Sequence, residues 1–433
     1  MKGYDPHIVE AAMHQMFPPE WVKGTARETG LVKRERKINP VVMLWVLTLS
    51  FGVRLQRTLA SLKRNYEKAS KTNLSDSSWY ERFTPELVAF LKQCVVRGIE
   101  NITEQSGRKL QPKLSQFKDL LIQDSTIVRL HTTLAKKWPA SRTRTVAAGV
   151  KVSMLVSAVA DGPKRVSLHS ERTNEVKTLR IGPWVRDRIL LIDMGFFKYQ
   201  LFARITENGG HFVTRLKNGA DPLITGENLK CRGNTIDVVG KRISDVLPKL
   251  KRQVLDVEVE VNFRRRAYRG KERDDTCQFR LVAVYNDEAK KYHLYITDIS
   301  VGVLSAEDIA ALYSARWDVE LIFKELKSRY AMDVVNTKNP QIVEAYIWTA
   351  ILTLIVSRRI YNIIRENSPK KEIIRYTQLR WSKIFAENAD IQLTLILAYY
   401  GIKRTFNTVM DVYLSQALDP HVNRDHLMDK WRA

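Results

Sequence analysis

Cysteine, closely spaced histidine and uninterrupted apolar runs are all scarce in this sequence. Its three cysteines, Cys94, Cys231 and Cys277, are scattered over 433 residues and form no CxxC pair. They cannot build a disulfide framework, which fits a reducing compartment. The eight histidines show neither HxH nor HExxH spacing, so the sequence predicts no zinc site.

Apolar runs that could cross a membrane are missing as well. The longest runs, residues 41–53 and 345–357, are interrupted by Thr or Ser. Both fall short of the roughly 20 residues that a spanning helix needs, so we expect no membrane insertion. The opening MKGYDPHIVE has acidic residues where a secretory signal has its apolar stretch, and we expect no such signal.

Acidic residues are outnumbered by basic ones. The chain has 71 Lys and Arg against 47 Asp and Glu, a formal net charge of +24. This excess points to a polyanionic partner, nucleic acid first and an anionic membrane surface second. The membrane surface is the weaker alternative because the charge is spread along the chain and not concentrated in one amphipathic helix. With 44% hydrophobic residues, the composition argues against a mostly disordered chain.

The hydrophobic pattern divides the chain into helical ends and a middle rich in strands. At about 150 residues per domain, the length suggests two or three domains. Residues 1–112 read as helical, with Asn39-Pro40 as a plausible helix start and Pro85 opening another helix. The C-terminal region, 336–433, contains an apolar segment at 342–364 that predicts a further helix.

The middle of the chain predicts a mixed sheet. Strands are expected at 118–130, 150–159, 164–169, 188–193 and 211–216, with helices at 171–179 and 197–206. The second and third strands read as a hairpin, and the continuous apolar run of the fourth is typical of a parallel strand. This order is that of a mixed α/β sheet flanked by helices.

A β-rich stretch follows this sheet. Alternating strands are expected at 255–263, 278–285 and 291–298, and a basic hairpin tip at 264–275. Ser305 then caps a predicted long helix over residues 307–329. We therefore expect a β-rich insertion within the main domain.

The segment YSARWDVELIFKELK is the most informative part of the sequence. On a helix, Tyr313, Arg316, Glu320 and Lys327 fall within an arc of roughly 60°, and the neighbouring arc is apolar. A carboxylate binds a divalent metal, whereas Arg, Lys and Tyr bind phosphate. The alternative is a solvated helix face with Glu–Lys pairing. Glu320 and Lys327 are seven residues apart, which disfavours their pairing, but Glu320 can still pair with Lys324.

The spacing Y-x2-R-x3-E-x6-K resembles the signature of bacterial DDE transposases of the insertion-sequence-four family. Tyr313, Arg316, Glu320 and Lys327 match it at all four positions. The resemblance implies an α/β fold with a ribonuclease-H-like mixed five-strand core, a β-rich insertion and helical ends. It also implies four regions, which are a DNA-binding region 1–112, a core 113–218 with 299–335, an insertion 219–298, and a region 336–433 with dimer or DNA contacts.

The resemblance requires two further carboxylates. Asp124, within LLIQDSTIV, matches the acid of the first core strand, with a strand-end Asx turn as the structural alternative. Asp193 matches the acid of the family's D-x-G-aromatic pattern at the end of the fourth strand. Asp119, Asp161 and Asp298 are weaker alternatives, placed at a strand start, in a turn and at the end of an insertion strand.

By this resemblance, Asp124, Asp193 and Glu320 would hold two Mg²⁺ ions, for which Mn²⁺ substitutes. Two metals would activate water or a DNA 3′-hydroxyl and stabilise the leaving oxygen of an in-line displacement. No covalent protein nucleophile is required, so Tyr313 is interpreted as a phosphate contact together with Arg316 and Lys327. We expect Trp317, beside Arg316, to pack under the site.

Further DNA contacts are expected outside this helix. Arg215 and Lys217, after the fifth strand, resemble basic residues of the family near the DNA end, with a plain surface pair as the alternative. Possible contacts at the insertion tip are Arg264, Arg265, Arg266, Tyr268 and Arg269. None of the nine tryptophans lies between 219 and 290, so the sequence departs from the family's use of an aromatic there to stack on an unpaired base. This departure leaves a hairpin intermediate open.

The resemblance predicts a cut-and-paste transposase. It would bind the terminal inverted repeats of an insertion sequence, cleave them with Mg²⁺ and join the 3′ ends to target DNA, as a homodimer on DNA in the prokaryotic cytoplasm at the nucleoid. The alternatives are another ribonuclease-H-like nuclease and a catalytically inactive, transposase-derived DNA-binding protein. The second would have lost Asp124, Asp193 or Glu320, all of which are acidic here.

Overall fold

The computed structural model describes residues 5–34, 38–51, 53, 58–105, 109–141, 147–229, 237–268, 271–368 and 377–402. The chain forms two compact units, one of residues 1–101 with 324–433 and one of residues 102–323. These differ from the four regions expected from the sequence, whose boundaries remain predictions.

The N-terminal part of the first unit is helical, as the sequence predicts. Its helices are α1 (Ile8–Met16), α2 (Pro19–Glu28), α3 (Pro40–Val46, continued by a π-helical turn Leu47–Phe51), α4 (Leu59–Ser70), α5 (Asp76–Tyr80) and α6 (Pro85–Glu104), the last of which ends in the second unit. The predicted helix start at Asn39-Pro40 is confirmed, because the Asn39 side chain accepts the N–H groups of Val41 and Val42 at 2.9 and 3.4 Å.

The second unit contains a nine-stranded sheet among the described residues. The strands are β1 (Asp119–Leu130), β2 (Ala148–Ser157), β3 (Gly162–Ser170), β4 (Arg188–Ile192), β5 (His211–Arg215), β6 (Leu223–Glu227), β7 (Val254–Tyr268), β8 (Lys271–Asn286) and β9 (Lys291–Thr297). Three short or medium helices connect them, α7 (Glu175–Thr178), α8 (Tyr199–Glu207) and α9 (Ile243–Val246).

The first five strands have the expected ribonuclease-H-like arrangement. Their order is β3-β2-β1-β4-β5, with β1, β2 and β3 antiparallel and β1, β4 and β5 parallel. The predicted hairpin and the predicted parallel strand are both confirmed. The last register pair of β1 with β4 is Gln123 with Ile192, so the residues that follow, Asp124 and Asp193, lie side by side at the carboxyl end of β4.

The β-rich stretch continues this sheet. Strand β9 pairs antiparallel with β5, and β8, β7 and β6 follow in order. The predicted strands were too short, since β7 and β8 have 15 and 16 residues. Most of the segment expected as a hairpin tip is paired strand, in which Arg264 faces Asp274. The next pair, Arg265 with Arg273, is also charged, so this part of the hairpin lacks the apolar alternation on which the sequence prediction relied.

One apolar core underlies the second unit. It combines residues of the first five strands, such as Leu190 and Phe212, with residues of the β-rich stretch, such as Val257 and Leu281, all fully buried. Phe202 of α8 stacks on Phe212 at 4.5 Å between ring centroids. The β-rich stretch and the first strands therefore share a core, which ties the edge of the sheet to the strands that carry Asp124 and Asp193.

The predicted long helix over 307–329 is wrong, because two helices replace it. Helix α10 (Ala306–Ser314) has a capping box of Ser305 and Asp308, and α11 (Trp317–Ser328) begins after a break at Ala315 and Arg316. At the break, the Arg316 N–H bonds to the Tyr313 carbonyl, a tight three-residue link. No Gly or Pro explains it, and the tertiary contacts of Arg316 described below accompany it.

The remaining helices belong to the first unit. They are α12 (Pro340–Glu366), α13 (Gln378–Glu387) and α14 (Ala389–Tyr399). Helix α12 begins at Asn339-Pro340, where the Asn339 side chain accepts the Gln341 N–H at 2.8 Å. By length and composition α12 is long and apolar enough to span a membrane, unlike the short runs read from the sequence, yet 83% of its most apolar window is buried within the protein. That burial is typical of a core helix.

Candidate active site

Three carboxylates meet at the carboxyl end of β4. Asp124 lies within β1, opposite Met154 of β2, and its Oδ1 accepts the Ser125 N–H at 2.7 Å. Asp193 directly follows β4, and its Oδ2 accepts the Gly195 N–H at 3.2 Å. Glu320 lies in the first turn of α11. The structure thus brings together the three acids that the resemblance predicts, from two strands and one helix.

Arg316 holds these three acids around a single guanidinium. Its Nη2 lies 2.8 Å from Glu320 Oε1, its Nη1 lies 3.2 Å from Asp124 Oδ2, and its Nε lies 3.9 Å from Asp193 Oδ1. The Arg316 side chain is 11% exposed, whereas those of Asp193 and Glu320 are 39% and 38% exposed. One cation therefore faces three anions at a surface that solvent reaches.

The acid buried most deeply has a raised pKa. Burial is the main cause, and with smaller contributions from the negative charges of Asp193 and Glu320, against the Ser125 N–H and Arg316, it raises the pKa of Asp124 to about 6. Burial lowers the pKa of Arg316, but its hydrogen bond to Glu320 and the surrounding charges raise that pKa overall. The site therefore favours an additional cation.

Tyr313 and Trp317 flank Arg316 in different environments. The Tyr313 ring packs on Tyr295 at 5.4 Å, burial raises its pKa to about 12, and its hydroxyl has no hydrogen-bond partner among the described residues. Trp317 does not pack under the site as a buried residue, because it is 62% exposed, but its ring lies beside the Arg316 guanidinium, with its centroid 5.5 Å from Cζ.

Lys327 lies on α11, two turns beyond Glu320, and is half-buried. It falls in the part of the helix that belongs to the first unit. Its approach to the three carboxylates therefore stays a prediction.

Two basic residues, one at the end of β5 and one just after it, lie close to the same end of the sheet. Arg215 pairs in register with Tyr295, and its charge lowers the pKa of Tyr313 against the effect of burial. Lys217 is exposed and lines a cleft of about 440 Å³ together with Met194 and Gly195, which directly follow Asp193. These placements are compatible with a DNA contact for both residues, which stays a prediction.

The basic tip is largely neutralised where its side chains are described. Arg264 lies 3.4 Å from Asp274, and Arg265 pairs with both Asp275 and Glu207. Residue Arg269 and the side chains of Arg266 and Tyr268 lie outside the described residues. The tip is therefore a weaker candidate for phosphate binding than its sequence suggests.

The three weaker candidate carboxylates have local structural roles. Asp119 accepts the Ser157 hydroxyl at 2.7 Å at the start of β1, and Asp298 contacts His211 at 2.8 Å. Asp161 lies in the β2–β3 turn with a positive φ of 52°. In these surroundings Asp119 and Asp298 act as structural anchors, and Asp161 as a turn residue.

Sequence reasoning missed a polar cluster beside Asp124. Ser125 donates a hydrogen bond to Glu175, which also accepts one from Lys151 of β2. The predicted helix over 171–179 is limited to α7, and Glu175 is its first residue. No sequence motif predicts these contacts, since they join residues from three separate segments. The one signal in the sequence is the lysine within the apolar second strand, which indicates a buried partner for its charge.

The donor set suits the divalent metals that the family implies. Carboxylate oxygens are the ligands that Mg²⁺ and Mn²⁺ prefer, and the site carries excess negative charge. Among the described residues, however, no group of three or more acidic, histidine or cysteine side chains is arranged to hold one ion, and these three acids each approach Arg316. The residues thus fit the metal by chemistry, with the guanidinium as their present counter-ion.

The strand order and the Tyr313–Lys327 segment together define a protein of the DDE type. The family model of the transposase DDE domain matches residues 115–356. The chain therefore belongs to this family, the DDE transposases of insertion-sequence elements.

Curated relatives confirm the resemblance to the insertion-sequence-four family. The chain is 22% identical over 91% of its length to the transposase of insertion sequence element IS231F from Bacillus thuringiensis subsp. israelensis, covering 87% of that protein. IS231 transposases belong to the insertion-sequence-four family. It is also 21% identical to the IS1151 transposase of Clostridium perfringens over 70% of this chain and 69% of that protein.

A solved structure gives a weaker likeness. The piggyBac transposase synaptic complex with hairpin DNA matches with a TM-score of 0.48 at 12% identity, over 98% of this chain and 87% of that chain.

Proposed function

We propose that this protein is a catalytically active transposase that cuts an insertion sequence at its terminal inverted repeats and joins the 3′ ends to target DNA. The observation that carries this proposal is the convergence of Asp124, Asp193 and Glu320 on Arg316. Three acids around one cation form an under-neutralised cluster, which costs free energy in the isolated protein. Perturbed charged groups of this kind cluster at functional sites.

Each side chain has a role in this proposal. Asp124, Asp193 and Glu320 hold two divalent cations, which when bound activate the attacking oxygen and stabilise the leaving oxygen of a phosphodiester displacement. Asp124 must be deprotonated to act as a ligand, which holds increasingly as the pH rises past its pKa of about 6. The Arg316 guanidinium is shared by the three acids, and we assign it to a DNA phosphate once metal cations neutralise them.

The substrate is DNA in this proposal. The net charge of +24 supports it, and so do the relatives, which are named as transposases of insertion sequence elements. Arg215 and Lys217, with Tyr313 and Lys327, contact phosphates near the cut. Two element ends have to be held together for cut-and-paste transfer, so the protein acts as a homodimer on DNA, at the nucleoid of a prokaryotic cytoplasm.

The test uses a plasmid that carries the gene with its native flanking DNA, incubated with purified full-length protein and Mg²⁺. Wild type and Glu320→Gln are compared, and the cut ends are mapped. Paired cuts at inverted repeats, made by the wild type alone, are the expected result. If both proteins bind the ends and neither cuts, the protein is a DNA-binding descendant and the proposal fails. Cuts by the variant would remove Glu320 from the site.

A further inference from the structure

A second polar cluster lies on the opposite face of β1 from Asp124. Successive side chains of a strand point to opposite faces, so Ser125 points away from Arg316. The Ser125 hydroxyl donates to both carboxylate oxygens of Glu175, at 3.0 and 2.9 Å. Glu175 thereby contacts the residue whose backbone N–H holds Asp124.

A buried lysine holds Glu175 from the other side. Lys151 of β2 donates to Glu175 Oε1 at 2.7 Å and to the Thr173 carbonyl at 2.5 Å, and its side chain is 7% exposed. A buried ammonium group is costly without an anion, so this pair holds the Glu175 carboxylate in one place. Asn174 caps α7 and so orients the backbone of Glu175.

Glu175 also contacts the turn that carries Asp193. A Cβ built on Gly195 would lie 3.2 Å from Glu175 Cγ and 3.7 Å from Asp193 Oδ2. The aliphatic part of Glu175 therefore packs against the backbone of this turn, and any larger residue at position 195 would press on it. One side chain thus touches both segments that carry acids of the active site.

We infer that Glu175 is a positioning residue that holds the Asp124 and Asp193 segments at the mutual spacing needed to bind divalent cations. The inference rests on the proposed function and deepens it. Glu175 is not itself assigned as a ligand, because Ser125 and Lys151 already occupy its two oxygens. It orients the residues that bind the metal without binding the metal itself. Loss of such a residue typically lowers metal affinity 10- to 100-fold.

The test measures Mn²⁺ binding to the full-length protein by electron paramagnetic resonance of the free ion. Glu175→Ala should lower the Mn²⁺ affinity about 10- to 100-fold. Glu171→Ala is the matched control, since Glu171 lies on the same connection and pairs with Arg129 instead. It should bind Mn²⁺ within about twofold of the wild type. Thermal unfolding of both variants shows whether either loses its fold.

Two milder variants keep the test decisive if Glu175→Ala fails to fold. Glu175→Gln retains an acceptor for Ser125 but not the charge opposite Lys151, and Ser125→Ala removes only one hydroxyl. Each should weaken Mn²⁺ binding less than Glu175→Ala, and raise the Mn²⁺ concentration for half-maximal DNA cleavage without changing DNA-end affinity. Affinities within twofold of the wild type in folded variants would overturn the inference. A wild type that binds no Mn²⁺ would overturn the proposed function and this inference with it.

Discussion

Two arginines of the second unit differ in how completely their charge is matched. Arg280 of β8 is 2% exposed and forms a two-pronged pair with Asp256, at 2.8 and 2.5 Å. Its third nitrogen donates to the carbonyls of Ile299 and Leu304. Arg316 instead divides its guanidinium among Asp124, Asp193 and Glu320. The first arginine has one anion and a hydrogen bond from each nitrogen, while the second has three anions and an Nε without a hydrogen bond.

The difference separates a structural arginine from one at a functional site. A buried pair with one matching anion and a bond from each nitrogen links β7, β8 and the segment before α10 and has no reason to move. A guanidinium shared by three acids leaves excess negative charge, which a bound metal ion relieves. Burial with balanced charge therefore indicates structure, and partial exposure with unbalanced charge indicates chemistry.

The largest expected effect is on catalysis at the unbalanced site. Glu320→Gln should lower DNA cleavage at least about 10³-fold, the scale of removing one catalytic group. Because the amide still accepts a hydrogen bond from Arg316, the melting temperature should change little. Cleavage is measured on the plasmid substrate, and Glu307→Gln on α10 is a control that should cut normally. Comparable cutting by Glu320→Gln would place the chemistry elsewhere.

The balanced pair should instead affect stability. Asp256→Ala leaves a buried guanidinium without its anion, so the free energy of unfolding should fall by about 3–5 kcal/mol. Denaturant unfolding measures this change, with Asp274→Ala on the same hairpin as an exposed control that should change stability by less than about 1 kcal/mol. A loss below 1 kcal/mol for Asp256→Ala would mean that the pair is not the structural clamp described.

The unbalanced site should also impose a pH dependence. The pKa of Asp124 is raised from 3.8 to about 6 in the folded protein, so its protonated form stabilises the fold at low pH, and this contribution is lost as the pH rises from about 4 through 6. Without metal, Asp124→Asn should therefore be more stable than the wild type at pH 8, by about 1–3 kcal/mol, and much less so at pH 4. Unfolding in EDTA at both pH values measures this. A stability difference between variant and wild type that is the same at both pH values would contradict the raised pKa of Asp124.

Arg316→Ala sharpens the comparison further. Without its guanidinium the DNA-free protein should bind Mn²⁺ several-fold more tightly, because the acids lose a competing cation, while DNA cleavage should fall about 10²- to 10³-fold. Calorimetry and the cleavage assay measure the two effects. Arg316→Lys should rescue cleavage poorly, since an ammonium lacks the planar fork. Weaker Mn²⁺ binding by Arg316→Ala would show that Arg316 organises the acids and does not compete for them.

The smallest effect is expected at the insertion hairpin. Arg265 is paired with Glu207 and Asp275, so Arg265→Ala should change the slope of log affinity for DNA against log salt by less than about 0.9, the value for one full phosphate contact. Lys217→Ala, on an exposed lysine, is the comparison and should change the slope by about 0.9. Equal changes of slope in the two variants would indicate that the hairpin tip contacts DNA.

The sequence predicts the strands of the core well, because their apolar periods and turn residues are local signals. Asp124 and Asp193 are predicted as site residues because the motifs around them resemble those of the family. The parallel register of β1 with β4 brings the two residues together. The break at Ala315 and Arg316 was missed because neither residue disfavours a helix. It accompanies long-range contacts, which no local pattern contains.

Contacts between distant segments were the least predictable. Arg316 was interpreted as a phosphate ligand, and its pairing with all three acids appears only when β1, β4 and α11 are assembled. Glu175 and Lys151 lie 24 residues apart without a motif. The outer parts of β7 and β8 pair charged residues, such as Arg264 with Asp274, and a search for apolar alternation does not find them.

The most direct test of the account is a crystal structure of the full-length protein soaked in Mn²⁺ at pH 8, with anomalous diffraction recorded near the manganese edge. The account predicts anomalous peaks bounded by Asp124, Asp193 and Glu320, with the Arg316 guanidinium displaced from at least one acid. If Arg316 still contacts all three acids and no anomalous peak lies beside them, the predicted metal site is contradicted.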